Sequence, residues 1–282
     1  MVAEVILGAH VSIAGGVQNA PLNGRKIGCE AIQMFAKNQT QWQARPFSVE
    51  NISGFQKNLK ESGLRAVVIH DSYLINLCAP DPINLKKSLD AFVDELERAE
   101  ALGVPYVVTH PGSHLGKGED WGVARIAESL DEIHERTPGF KVVTLLETTA
   151  GQGTNLGYTF EQLAAMRAKV KAKKRVGVCA DSCHMYSAGY DLKNKKSYED
   201  VWKRFGDVIG FEHLKAFHVN DTKKAHASRV DRHDHIGAGQ LGLDPFRWLL
   251  HDPRFENIPG LLETPGGEED FKRNLKILRS LQ

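Results

Sequence analysis

The sequence has few of the features that mark a secreted or membrane protein. Its 282 residues include only four cysteines, which show neither a Cys-x-x-Cys spacing nor a disulfide framework and suit a reducing cytosol. No apolar run approaches the roughly 18 residues of a membrane span, and residues 1–4 lack the basic stretch of a signal peptide. We therefore expect a cytoplasmic protein with no membrane partner.

The chain also lacks an excess of either charge. It carries 36 basic and 35 acidic side chains, giving a net charge of +1, so the bare polypeptide is no obvious binder of polyanions. With 41% apolar and 25% charged residues it has the composition of an ordinary globular protein. Because no low-complexity linker interrupts it and its candidate site residues span nearly its full length, we predict one domain over residues 1–282.

Potential metal ligands recur at the ends of strand-like apolar runs. Three examples are Ala66 to His70, Val142 to Glu147 and Gly177 to Asp181. From His70 onward such residues follow one another at intervals of 34 to 45 residues, about the length of a strand–loop–helix–loop unit. The series comprises His10, His70, His110, Glu147, Asp181, His218 and Glu263.

Strand and helix patterns alternate, which predicts a parallel sheet. Amphipathic helices are expected over Lys86–Leu102, Val123–Ile133 and Phe160–Val170. The eight predicted strands are Ile6–His10, Ala31–Phe35, Ala66–His70, Val107–His110, Val142–Glu147, Val176–Asp181, Leu214–His218 and Gly260–Glu263. Eight units favour a (β/α)8 TIM barrel with its site at the C-terminal rim of the strands. A doubly wound open sheet is the weaker alternative, because it would not join the first and last strands.

Two further pairs strengthen the prediction of a metal site. Asp181 and His184 are three residues apart on the loop that leaves a strand, and Asp231 and His233 point the same way from an extended segment. Nine candidate ligands suit a metal cluster better than a single ion, and their five imidazoles favour zinc over magnesium. The nine are His70, His110, Glu147, Asp181, His184, His218, Asp231, His233 and Glu263.

The remaining histidines and Cys183 are expected to have other roles. Three histidines close to site segments are predicted to contact the ligands or the substrate: His10, His114 and His235. Four in helical or polar contexts are predicted to be solvated: His134, His213, His226 and His251. Cys183 is expected to be packed. The basic run Lys169–Arg175 is interpreted as the solvated end of a helix, with a nucleic-acid patch as the alternative.

At these residues the chain resembles the endonuclease IV family of zinc-dependent apurinic/apyrimidinic DNA repair endonucleases. The similarity covers essentially the whole chain. It is carried by segments that include GAHVS at 8–12, KNQ at 37–39, HDSYLINL at 70–77, HPGSH at 110–114, TAGQG at 149–153, DSCH at 181–184, HVND at 218–221, SRVDRH at 228–233 and LET at 262–264.

The resemblance implies three zinc ions per chain. His70, His110 and Glu147 would hold the first, with Glu147 bridging to the second. Asp181, His218 and Glu263 would complete the second site, and His184, Asp231 and His233 would hold the third. Three divalent ions against four carboxylates leave a formal charge of +2, which suits a hydroxide and a phosphodiester.

The implied reaction is hydrolysis of the phosphodiester 5′ to an abasic site, leaving a 3′-hydroxyl and a 5′-deoxyribose phosphate. A metal-bridging hydroxide would attack phosphorus, with Glu147 serving as a bridging ligand. The partner would be double-stranded DNA with abasic sites. The protein would act as a monomer and would be found at the nucleoid. Tyr73 and Leu74 are the candidate wedge or stacking pair, although Leu74 is equally well interpreted as a core residue. Asn38 and Gln39 are candidate backbone or gap-filling contacts.

Three positions depart from common family patterns. Thr40 stands where a well-known pattern has an arginine projecting into DNA, Thr148 follows Glu147 where asparagine is common, and Ala238 replaces an acidic residue. None of them removes a predicted ligand. The change at Thr40 affects DNA distortion rather than chemistry.

Two rival functions use a similar framework. A sugar isomerase or epimerase would use one or two metals held mainly by carboxylates, which the five histidines disfavour. A non-catalytic binder of damaged DNA would have no use for a full ligand set. Metal content separates these hypotheses: about three zinc ions per chain favour the endonuclease, whereas one manganese with turnover of a free sugar favours the first rival.

Overall fold

The computed structural model describes residues 5–282 and shows a closed parallel barrel surrounded by helices. Its strands are β1 (Ile6–His10), β2 (Ala31–Phe35), β3 (Ala66–His70), β4 (Tyr106–Thr109), β5 (Val143–Glu147), β6 (Val176–Asp181), β7 (Leu214–His218) and β10 (Pro259–Leu262). The first strand pairs with the last, β1 with β10, which closes the barrel and excludes the open sheet. Residues 1–4, for which no signal peptide was predicted, lie outside the described part.

The helices pack outside this barrel. They are α1 (Ala20–Lys26), α2 (Val49–Ser62), α3 (Pro82–Leu102), α4 (Glu119–Arg136), α5 (Phe160–Lys169), α6 (Ser182–Ala188), α7 (Lys195–Val208), α8 (Asp244–Leu250) and α9 (Glu268–Arg279). A short antiparallel hairpin of β8 (Asp221–Thr222) and β9 (His233–Asp234) lies in the segment between β7 and α8. No helix in residues 5–282 is long and apolar enough to cross a membrane.

Five of the predicted strands have the observed bounds, and the other three are off by one residue. The strands before His110 and Glu263 stop one residue early. Pro111, which has no amide hydrogen, follows His110 and cannot continue the ladder. The amide of Glu263 instead donates to Oδ1 of Asn220 at 2.8 Å. Helices α3 and α4 begin four residues before their predicted starts; Asp81 caps α3 by accepting the amide of Asn84.

The barrel interior explains why the polar residues gather at one end. Each strand contributes one residue to a layer of buried side chains: Ile6, Ala31, Val68, Val108, Leu145, Cys179, Ala216 and Leu261. Because side chains alternate along a strand, the residue two positions later again faces inward, one step closer to the C-terminal rim. That layer comprises Gly8, Gln33, His70, His110, Glu147, Asp181, His218 and Glu263. The apolar residues on the other strand faces pack against the helices.

Candidate metal centre

The nine predicted ligands form three groups at the C-terminal rim of the barrel. Within each group, the atoms that would bind an ion lie within 4.8 Å of one another. The groups are His70, His110 and Glu147; Glu147, Asp181, His218 and Glu263; and His184, Asp231 and His233; a fourth set at the same distances within residues 5–282 combines Asp181 and His233 with Cys183. These are the sets that the resemblance implies, and Glu147 belongs to two of them.

Glu147 lies at the centre and is completely buried. Its Oε2 is 3.3 Å from Nε2 of both His70 and His110, and its Oε1 is 2.9 Å from Nδ1 of His218. Burial alone would raise the pKa of this carboxyl, but the neighbouring charges of His218 and His110 hold the pKa well below its ordinary value. The two carboxylate oxygens therefore face different groups, as a bridging ligand requires.

Three of the histidines have one ring nitrogen held by a main-chain carbonyl. Nδ1 of His70 lies 3.0 Å from the oxygen of Asp71, Nδ1 of His184 lies 2.8 Å from that of Thr148, and Nδ1 of His233 lies 3.1 Å from that of Glu263. A carbonyl only accepts, so each Nδ1 carries a hydrogen, and Nε2 is the nitrogen whose lone pair can face the group once a metal ion displaces its proton.

The third group shows most clearly that these residues fit a cation. Nε2 of His184 and Nε2 of His233 are buried and have no hydrogen-bond partner. Asp231 lies beside both: its Oδ2 is 3.0 Å from Nε2 of His184, and its Oδ1 is 3.4 Å from Nε2 of His233. Two imidazole lone pairs and a carboxylate that converge in a buried place suit a divalent ion with nitrogen and oxygen ligands.

Charge within this group is strongly coupled. Burial would raise the pKa of Asp231, but His184 and His233 lower that pKa to about 2. Burial would lower the pKa of His184, but Asp181 and Asp231 raise it well above its ordinary value. In the metal-free protein, Asp231 therefore stays ionised and the proton stays on the imidazole of His184, and a metal ion has to displace that proton.

Asp181 shapes the junction of β6 and α6, where the sequence predicted a loop but the helix follows the strand directly and contains His184. Its Oδ1 accepts the amide of His184 at 2.7 Å and so caps α6, while its Oδ2 accepts Nδ2 of Asn220 at 2.8 Å. Thr148 supports the same region, because its hydroxyl accepts the amide of Asp181 at 2.8 Å. The hydroxyl of Thr148 thus helps to fix the position of Asp181.

Gln33 belongs to this site, although its sequence context alone did not identify it. Its side chain is fully buried and contacts three residues: Glu263, His218 and His10. The available signal was a single polar residue in the apolar strand Ala31–Phe35, in step with the ligands of the other strands. His10, expected beside the ligands, lies with Nδ1 3.8 Å from Oε1 of Glu263.

Three of the four residues proposed to contact DNA line a cavity beside the metal centre, and the fourth, Leu74, follows one of these three in the chain. A cavity of about 570 Å³ adjoins Glu263 and is lined in part by Asn38, Gln39 and Tyr73. Tyr73 is 68% exposed, and its ring lies 5.7 Å from that of Phe35. Leu74 is half-buried and is not one of the fully buried core residues.

Thr40 is not one of the residues that line this cavity. Its backbone amide and its hydroxyl both bind Oδ1 of Asn38, at 3.0 Å and 2.8 Å. The threonine therefore closes a local turn that orients Asn38, and its short side chain is used within the loop.

One prediction about the other histidines is wrong. His134, expected to be solvated, is buried on the inner face of α4, and burial lowers its pKa to about 4. The helix turns this side chain toward the core beside Leu130 and Ile133. His226 and His251 are exposed as expected, and His213 is half-buried.

His114 and His235 bind other parts of the chain. Nδ1 of His114 accepts the amide of Gly118 at 3.0 Å, and Nδ1 of His235 lies 3.1 Å from Nδ2 of Asn274 in α9. Cys183 is buried as predicted, and burial raises the pKa of its thiol to about 12.

The basic run Lys169–Arg175 lies where α5 ends and β6 is about to begin, at the opposite end of the barrel from the metal centre. Lys169 is exposed, and Lys171 pairs with Glu135 at 3.0 Å. Arg175 is half-buried and donates to the carbonyl of Thr137 at 2.9 Å. This arrangement fits the solvated end of a helix.

Comparison with known proteins gives matches along nearly the whole chain. Residues 23–281 match the family described as a xylose isomerase-like TIM barrel. The chain is 46% identical over 276 residues to a probable endonuclease 4 of Chloroflexus aggregans, covering 97% of this chain and 96% of that protein. It is 48% identical over 277 residues to a probable endonuclease 4 of Geobacter sulfurreducens, covering 98% and 94%.

Solved structures are also similar to this chain over nearly its whole length. The crystal structure of endonuclease IV from Thermus thermophilus is similar with a TM-score of 0.88 and 36% identity, over 98% of each chain. A D-tagatose 3-epimerase-like protein is similar with a TM-score of 0.75 but only 18% identity, over 98% of this chain and 97% of that one. The second likeness concerns the fold alone.

Proposed function

The chain belongs to the endonuclease IV family, and on that premise we propose that it is a DNA repair endonuclease acting at apurinic/apyrimidinic sites. It hydrolyses the phosphodiester 5′ to the abasic sugar and leaves a 3′-hydroxyl and a 5′-deoxyribose phosphate. The observation that carries this proposal is the convergence of nine imidazole and carboxylate side chains in three adjoining groups, joined through the buried Glu147.

Three zinc ions are the proposed cofactors, one for each group. His70, His110 and Glu147 hold the first, and Glu147, Asp181, His218 and Glu263 hold the second. His184, Asp231 and His233 hold the third. When bound, zinc lowers the pKa of water toward neutrality and neutralises charge on a phosphodiester.

The protein's own residues supply position and charge. Glu147 keeps two groups at a fixed separation, and its depressed pKa keeps it ionised at neutral pH. Main-chain carbonyls fix the rings of His70, His184 and His233, so these ligands need little reorganisation when phosphate arrives. The site's formal charge of +2 with its ions favours an anionic substrate.

The proposed substrate is double-stranded DNA that contains an abasic site. Unstacking costs least where a base is missing, so an exposed aromatic side chain beside the centre can select such a site. Tyr73 has the required exposure. Leu74, Asn38 and Gln39 are the further proposed contacts. The protein is proposed to act as a cytoplasmic monomer on nucleoid DNA.

A sugar epimerase is the second candidate, because barrels of that class share this fold. Its chemistry calls for one or two ions held mainly by carboxylates, whereas the present set contains five imidazoles. The nitrogen-rich donor set therefore favours zinc and the endonuclease.

Cleavage of a duplex with one tetrahydrofuran abasic analogue tests the proposal. We expect a single cut on the 5′ side of the analogue, loss of cutting after chelation and recovery with zinc. The same duplex without the analogue is the control. Failure to cut, combined with manganese-dependent turnover of a free ketose, would overturn the endonuclease in favour of the epimerase.

A further inference from the structure

Gln33 occupies the inward-facing position of β2 in the same layer as six of the candidate ligands. It is fully buried, and its amide is fully engaged. Nε2 donates to Oε1 of Glu263 at 2.6 Å and lies 3.1 Å from Nδ1 of His10, while Oε1 lies 2.7 Å from Nε2 of His218. One uncharged side chain thus joins two candidate ligands of the second group.

The orientation of this amide follows from its partners. A reversed amide would put its oxygen 2.6 Å from a carboxylate oxygen of Glu263, and two acceptors at that separation repel each other. The amide oxygen therefore faces His218, and Nε2 of that ring carries the hydrogen.

The consequence is the tautomer of His218. With the hydrogen on Nε2, a neutral ring presents the lone pair of Nδ1 to the second group. Nδ1 lies 2.9 Å from Oε1 of Glu147, 3.2 Å from Oε2 of Glu263 and 3.8 Å from Oδ2 of Asp181. Facing three carboxylates at these distances, Nδ1 either carries a proton, as in the metal-free protein, or directs its lone pair at a metal ion that replaces the proton.

His218 also differs from three other candidate ligands. Nδ1 is fixed by main-chain carbonyls in His70, His184 and His233, so those rings direct Nε2 inward. His218 directs Nδ1 inward, and its other nitrogen is held by a side chain. Because a side chain rather than the main chain holds this nitrogen of His218, a single substitution at Gln33 can remove the hydrogen bond.

We propose that Gln33 is a positioning residue that fixes His218 in the tautomer that coordinates through Nδ1 and holds Glu263 in place, and so sets the zinc affinity of the second group. It touches neither the ion nor the DNA. This inference rests on the zinc centre of the proposed function, but its test measures metal binding and ring tautomer rather than cleavage.

Gln33→Met tests the proposal, because methionine has a similar length and no amide. Zinc per chain is measured after dialysis against increasing chelator, with Gln162→Met as the matched control. Gln162 is also buried and hydrogen-bonded, to Gly157 and Glu119, outside the metal groups. We expect Gln33→Met to release one of three ions at about 10- to 100-fold lower chelator, the usual effect of losing a partner of a ligand. The control should release zinc as the unaltered protein does.

A measurement on the unaltered protein keeps the proposal falsifiable if Gln33→Met does not fold. Imidazole nitrogen NMR of the zinc-loaded protein, assigned through the signal lost in His218→Asn, should show hydrogen on Nε2 and metal on Nδ1. Hydrogen on Nδ1 would overturn the proposal, as would unchanged zinc release in folded Gln33→Met. If the protein binds zinc as expected but fails to cut abasic DNA, the proposed function fails while the role of Gln33 stands. A protein that binds no zinc overturns both.

Discussion

Glu147 and His218 meet at the top of the barrel, with Oε1 of the carboxylate 2.9 Å from Nδ1 of the imidazole, and both side chains are fully buried. They come from β5 and β7, on either side of β6 in the sheet order, and neither position alone indicates a metal. Their approach brings the first and second groups together. We therefore expect catalysis to depend most on Glu147.

Glu147→Gln should abolish most cleavage while preserving the fold. The amide has nearly the same shape but lacks the charge and the second acceptor oxygen that joins two groups, so activity should fall by several orders of magnitude. Rates on the abasic duplex and circular dichroism provide the measurement. Glu128→Gln, at an exposed glutamate in α4, is the control; a near-normal rate for Glu147→Gln would contradict the role of Glu147.

Removing the metal should lower stability. Ions that bind only the folded state add about 2.7 kcal/mol for each site when the free ion is at 100 times its Kd. Without them, only protonated imidazoles offset the ionised carboxylates at the rim. Thermal unfolding before and after chelation should show a clear drop in Tm that zinc reverses, and an unchanged Tm would show that these groups hold no structural ion.

Stability of the metal-free protein should fall as the pH rises from about 6.5 to about 9. Burial tends to lower the pKa of His70, but Glu147 outweighs it and raises that pKa to about 9. A histidine whose pKa is higher in the folded state stabilises the fold fully below its unfolded value of 6.5, and this contribution is lost as the pH passes the folded value.

Urea unfolding of the chelated protein across this range provides the measurement. The free energy of unfolding should decrease by more than about 1.4 kcal/mol, the equivalent of one pKa unit. Zinc should remove the decrease, since a coordinated ring no longer holds that proton. A metal-free protein that gains stability over the same range would contradict the charge coupling between His70 and Glu147.

Tyr73→Ala should weaken binding to abasic DNA more than it slows the cut. Loss of a stacking ring costs about 1–3 kcal/mol, or about 5- to 150-fold in Kd. Binding is measured by fluorescence anisotropy and the cut by single turnover at saturating protein. Tyr73→Phe keeps the ring and should behave normally. An equal loss of activity on a small phosphate diester would show that Tyr73 acts on the chemistry instead.

Sequence periodicity predicted the barrel and its polar rim because both follow from repeated local patterns. Seven of the eight barrel strands end on a histidine or a carboxylate, as at Glu147, or are followed directly by one, and the alternation of side chains fixes which way that residue points. The bounds of α3 were missed because Asp81 and Pro82 begin the helix before its amphipathic pattern starts.

Gln33 and His134 show where such reasoning stops. Gln33 is not a typical metal ligand, and its role depends on contacts with His10, His218 and Glu263, which come from other strands. His134 looks polar in sequence, but its burial depends on which face of α4 packs inward. Both results come from packing between distant segments.

Zinc titration of the chelated protein, followed by the cleavage rate on a duplex with one tetrahydrofuran site, tests the central claim most directly. If the three groups act as one centre, the rate stays low at one equivalent and reaches its maximum only near three equivalents of zinc per chain. A full rate at a single equivalent, or without any metal, would contradict a centre built from all nine side chains.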